Sequence, residues 1–401
     1  MKIMAAWWRG LLTLAILASA GCSSQEAKMA ITDVRPEAAI PVGAVQPFAQ
    51  DARENIARRI LQLDAQVKPV TDQMLRTLNE VMDDACSAIG KLRRKEEGGW
   101  DRAYAVAALH CVDSALLNHG FLYPDAGGVD LLADGLTPFH ISTDRRRFFE
   151  AQPSNRRRAA MIAQRFPGPF YVLDCDTASL VYLGVAERAN LPLHLVAIPS
   201  FNRKAGHAFV RWREGSHYLD WETMEGRVTT DDFYRAEWKI TPAEIKAHSA
   251  LTDLTSGQVM GCEHYLLAIQ YERRGDFEKA LRELSVALEL YPECLDARRE
   301  FAWDMATGIG VLRRNNEEAI ANALAVLRLV DDPDARDTLA AAYASAGMFD
   351  LAVKEEKAAL VDGARSSDAK AGYQQRLALY QQHTAYRRSG PAHEAAGEFK
   401  P

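Results

Sequence analysis

Three residues near the middle of the chain, Cys175, His207 and Asp220, have the types and order that covalent acyl transfer requires. A cysteine attacks a carbonyl as its thiolate. An imidazole takes the thiol proton and later passes it to the leaving amine, and a carboxylate holds that imidazole in the productive tautomer. His207 follows Cys175 by 32 residues, and Asp220 follows His207 by 13. The surrounding pattern supplies elements to position them. Asp176 to Ala189 reads as a helix, with Leu180, Val181, Gly184 and Val185 on one face; Asp176 suits its start, and Asn190 and Pro192 end it. Leu193–Pro199, His207–Arg213 and Ser216–Trp221 read as strands, with a turn at Gly215. Cys175 then stands at a helix N-terminus, where unpaired N–H groups favour a thiolate. Asp174 and Asp176 oppose it, so an imidazolium is needed to hold the anion. A hairpin about Gly215 is expected to seat Asp220 beside His207. The backbone N–H of Cys175 and a side chain near His140 are the candidate oxyanion donors. His194 and His217 read as packing or surface histidines.

This constellation, with the cysteine opening a helix and the other two residues on adjacent strands, resembles the transglutaminase-like superfamily. The stretches Gly206–Trp212 (G-H-A-F-V-R-W) and Leu219–Thr223 (L-D-W-E-T) are similar to bacterial members fused to helical repeats. The resemblance covers roughly residues 135–240 and implies an α+β fold: a small papain-like core, with the Cys-bearing helix on an antiparallel sheet. It implies Cys175 as nucleophile, His207 as base and acid, and Asp220 as orienter, acting on amide or peptide bonds. Water as second nucleophile makes the protein a peptidase or amidase; an amine makes it a transamidase. Because the superfamily includes inactive members, the alternative is a catalytically silent scaffold that mediates protein–protein interaction. No metal, nucleotide or other cofactor motif is present.

From Gly261 the pattern is helical throughout. Tyr271, Gly275, Phe277, Ala280 and Ala287 recur, at identical offsets, as Tyr343, Gly347, Phe349, Ala352 and Ala359. This resembles the tetratricopeptide repeat, in which small alanines let paired helices pack closely and the glycine permits the turn. Ala319 belongs to a middle repeat whose insertion falls at Gly308–Asn316, and Ala369–Gln382 reads as a final capping helix. Such arrays bind protein or peptide segments.

The remaining organisation follows from composition and punctuation. Asp51 to Ser114 reads as a helical lead-in, with one helix ending near Ile89 and another starting near Trp100. Cys86 and Cys111 lie in these helices, and Cys262 and Cys294 lie about one repeat apart; each pair is either a disulfide or two buried thiols. Arginine triplets at Arg145–Arg147 and Arg156–Arg158 read as an anion patch or a solvated face. Residues 1–21, with Lys2, Arg9 and the apolar run Leu11–Ala20, read as a secretory signal. The following Cys22 makes this segment resemble a bacterial lipoprotein signal, which implies acylation of Cys22, anchoring to the outer membrane and a periplasmic or surface position. The expected divisions are thus a signal at 1–21, a tether at 22–50, the lead-in and core at 51–250, the repeats and cap at 255–388, and a disordered tail at 389–401. Across 401 residues there are 48 Lys plus Arg and 54 Asp plus Glu, for a formal net charge of −6. That balance argues against a general nucleic-acid binder. With 48% hydrophobic and 25% charged residues, the composition excludes a disordered chain, a collagenous fibre and a polytopic membrane protein.

Overall fold

A computed structural model describes residues 54–94, 99–123, 129–151, 153–201, 205–312, 314–362 and 367–388. The expected signal, tether and tail, and Cys22, lie outside these residues. The fold is mixed helix and sheet, with a five-stranded antiparallel sheet and a helical C-terminal region.

The chain forms two compact units. Among the described residues, one comprises those up to Leu195 together with Phe209–Thr229; the other comprises those of Val196–Ala208 and from Thr230 onward. The first unit begins with three helices: α1 (Ile56–Asp64), α2 (Asp72–Ile89) and α3 (Arg102–Asn118). Asn55, Thr71 and Asp101 each cap one by accepting a first-turn backbone N–H. Two short strands, β1 (Phe121–Leu122) and β2 (Tyr171–Val172), pair in parallel. Between them lie α4 (Leu132–Gly135), α5 (Arg146–Ala151), a 3₁₀ turn (Pro153–Arg158) and α6 (Ala159–Arg165).

Helix α7 (Cys175–Ala189) is central to this unit. Every residue from Thr177 to Ala186 is buried, as befits a helix covered on all sides. Gly184 permits the close approach of α1 and α2: a Cβ there would meet Met82 Sδ at 2.9 Å and Ala57 Cβ at 3.1 Å. Strands β3 (Leu193–Ile198), β4 (His207–Glu214), β5 (His217–Glu222), β6 (Arg227–Thr229) and β7 (Asp253–Leu254) make the sheet, in the order β6-β5-β4-β3-β7.

Three of the six triplet arginines make well-defined contacts within the fold. Arg158 is buried, donates to the Phe121 carbonyl (3.1 Å) and to Asp113 (3.1 Å), and lies 4.1 Å over the Tyr123 ring. Arg157 reaches the other oxygen of Asp113 (2.8 Å) and the Glu225 carbonyl. Arg146 pairs with Glu150 at 2.8 Å. A solvated face was one expectation for these triplets; for Arg158 the buried Asp113 carboxylate replaces water.

The second unit holds α8 (Asp231–Trp238) and α9 (Pro242–Lys246), then the helical run α10 (Ser256–Arg273), α11 (Phe277–Leu290), α12 (Leu295–Thr307), α13 (Asn316–Leu327), α14 (Pro333–Ser345), α15 (Phe349–Asp362) and α16 (Ser367–Gln381). The recurring residues make equivalent turns. Gly275 and Gly347 have φ of 75° and 78°; the Asp276 N–H donates to the Tyr271 carbonyl at 3.0 Å, as the Met348 N–H does to the Tyr343 carbonyl at 2.9 Å. Ala280, Ala287, Ala352 and Ala359 are fully buried.

Candidate functional site

Cys175 is the first residue of α7 because Asp174 caps the helix. Asp174 Oδ1 accepts the Thr177 N–H (3.1 Å) and hydroxyl (2.9 Å), and the Asp174 N–H donates to Thr177 Oγ1 at 2.9 Å. Its Oδ2 accepts the Val129 N–H at 2.9 Å. Burial pushes the Asp174 carboxyl up, against the bonds from Thr177 and Val129 that draw it down. The cap is therefore Asp174, and Asp176 lies within the first turn. The Cys175 side chain is half-buried, with Sγ 3.8 Å from Asp176 Oδ1. Ser179 Oγ donates to the Cys175 carbonyl (2.6 Å) and lies 3.5 Å from Thr223 Oγ1. The chain just past β5 thus adjoins the first turn of α7.

Asp220 lies on β5 as expected, but its cross-strand partner differs. The β4–β5 register pairs Glu214 with His217 and Arg211 with Asp220. Setting His207 opposite Asp220 would need a turn centred two residues earlier, at Arg213–Glu214. The turn instead uses Gly215, at φ 59°, which only glycine adopts without penalty. His207 therefore lies four residues along β4 from Asp220's partner, about 13 Å at the usual strand rise. Arg211 Nε donates to Asp220 Oδ1 at 2.6 Å, with both side chains buried. Trp221 donates to the Tyr182 hydroxyl on α7 at 3.1 Å, so strand alternation turns Asp220 to the opposite face of β5.

His207 belongs to the second unit. Its ring stacks on Trp238 (centroids 5.0 Å apart, interplanar angle 20°) and lies 5.6 Å from Tyr234. The chain before it is anchored within that unit. The Ser200 N–H and hydroxyl donate to Asp296 at 3.0 and 2.9 Å. Arg299 donates to the Ser200 carbonyl (3.1 Å) and covers the Phe201 ring at 5.0 Å. Trp238 Nε1 donates to the Ala205 carbonyl at 2.9 Å. No protein-family model matches this chain, and no curated protein matches it.

All five described cysteines are thiols, so neither expected pair is bridged. Cys86 Sγ is 4.0 Å from the Val185 carbonyl on α7, and burial pushes the Cys86 and Cys111 thiols up. Cys262 and Cys294 both act electrostatically on the Tyr291 phenol, whose pKa burial raises; the chain brings them to one residue without joining them. His140 is exposed, and its Nδ1 would lie 3.1 Å from a Cβ placed on Gly168. His194 is half-buried, and His217 stacks on Trp100 at 5.6 Å. Sequence reasoning missed Arg211. Its signal was a charged residue inside the buried stretch Ala208–Trp212, where a cation requires a partner.

Proposed function

We propose that the protein is a thiol-dependent acyl enzyme of the transglutaminase-like type, acting on amide or peptide bonds, with a tetratricopeptide array after its core. The observation that carries this reading is Cys175 as the first residue of a capped, buried helix, where helix N–H groups favour a thiolate. His207 opening a strand, with Asp220 on the next, further supports it. In this reading Cys175 attacks the substrate carbonyl, and His207 takes the thiol proton and gives it to the leaving amine; Asp220, the orienter that the resemblance implies, is engaged by Arg211 instead of facing the imidazole. Water or an amine then resolves the thioester. The paired helices, with recurring Tyr–Gly–Phe turns and buried alanines, support the repeat array as the protein-binding part. Acylation of Cys22 would hold both at the outer membrane.

The test is alkylation of Cys175 by iodoacetamide as a function of pH, with the other cysteines replaced by serine or alanine. Reaction should persist well below pH 8, and His207→Ala should remove that advantage. A rate that follows an ordinary thiol, with pKa about 8.5, sinks the proposal.

A further inference from the structure

The second unit ends in a segment that runs back across its own helical hairpins. Beyond α16, His383 stacks on Phe349 (5.1 Å, interplanar 8°). Tyr386 packs against a cluster that includes Ala340, Ala344 and Tyr380, and its ring is 6.0 Å from that of Trp303. Arg387 donates to the Ala306 carbonyl at 2.7 Å, and the Arg388 N–H donates to the Thr307 carbonyl at 3.0 Å. Both acceptors are in the last turn of α12, where helix carbonyls need donors.

The Arg388 guanidinium enters a socket of three carboxylates. It reaches Glu272 at 3.0 Å, Glu300 at 3.8 Å, and Asp304 in closer contact. Its shelf is aromatic: Phe277 at 4.6 Å and Trp303 at 5.8 Å. Phe277 and Phe349 hold the same place in the repeated pattern, so the segment touches equivalent residues of two hairpins. The three carboxylates have the spacing of a cation site, and Asp304 is fully buried. Buried acids of this kind destabilise a fold unless a cation meets them. Here that cation comes from beyond the last helix, on extended chain with its backbone also bonded.

We propose that this socket is a binding site for an extended segment of a partner protein carrying arginine shortly after an aromatic residue, and that residues 383–388 occupy it as an internal competitor. The inference rests on reading the helical run as a repeat array and does not depend on the reading of Cys175. A tethered competitor acts at an effective concentration on the order of millimolar, so a partner gains the socket only by displacing the tail.

The probe is a fluorescein-labelled peptide of residues 382–388, added to the full chain and to full-length Tyr386→Ala/Arg388→Ala. The double variant should bind at least about tenfold more tightly than the wild type, because its competitor is weakened. Replacing the second arginine of the peptide by alanine should abolish that binding. In the wild type, saturating peptide should speed hydrogen exchange at the Arg388 amide. A double variant with native circular dichroism that binds neither peptide, or both equally, overturns the proposal. If the double variant does not fold, unchanged Arg388 exchange in the wild type overturns it alone.

Discussion

Replacing Asp220 by asparagine separates a structural duty from the expected catalytic one. Asp220 and Arg211 face each other across β4 and β5, are both buried, and approach to 2.6 Å. Asparagine keeps the shape but removes the Asp220 charge that faces the Arg211 cation. Breaking a buried pair from one side costs about 3–5 kcal/mol; a retained amide oxygen places Asp220→Asn near the lower end, about 3 kcal/mol. The assay is hydrogen exchange of the slowest β4 and β5 amides, which reports the opening free energy of that hairpin. A cycle with Arg211→Met isolates the pair and should return a coupling of about 2–3 kcal/mol. A coupling below about 0.5 kcal/mol would refute the argument from register and burial. Alkylation of Cys175 in the same variants reads the other duty. An orienting carboxylate lowers the Cys175 rate when it is lost, even where hairpin exchange is matched by added osmolyte.

Two further substitutions test burial in the first unit. The Asp64 carboxyl accepts the Ala133 N–H at 2.8 Å, and burial pushes it up from 3.8 to about 7. The folded chain then holds a proton that the unfolded chain has lost, so stability falls as pH rises from about 4 to about 7. Asp64→Asn should therefore leave stability to urea unchanged near pH 4 and raise the unfolding free energy at pH 8 by on the order of 4 kcal/mol; equal urea midpoints at pH 8 would count against the burial. Asp113→Ala should cost about 3–5 kcal/mol, because it strands buried Arg158. A loss under about 1 kcal/mol in thermal or urea unfolding would mean that water reaches Arg158.

Much of the fold was legible because local chemistry marked it. Ile89 ends α2 where the apolar period stops, and Asn190 with Pro192 closes α7. The recurring tyrosines gave two of the helical turns, since only glycine suits the positive φ that follows. The candidate site was legible as three residues on their elements, but not as a register. One hairpin turn fixes every pair beyond it, and sequence marks a turn only to within a residue or two. The segment after α16 was illegible for a different reason. Tyr386, Arg387 and Arg388 fall at the end of the expected repeats and cap, past its last helix and with no apolar period to place them, and their partners Glu272 and Asp304 are far away in sequence, on helices whose polar residues look exposed until the helices pack.

The chain leading to His207 has a consequence for folding. Ser200 lies 96 residues before Asp296, the side chain that receives it. Closing so long a loop carries an entropic cost that a local helix does not, so α7, with Cys175 at its start, forms more readily than that anchor closes. A chain stopped at residue 255 would contain all three candidate residues and Trp238, on which His207 stacks, yet would lack Asp296 and Arg299, which hold the segment leading to His207.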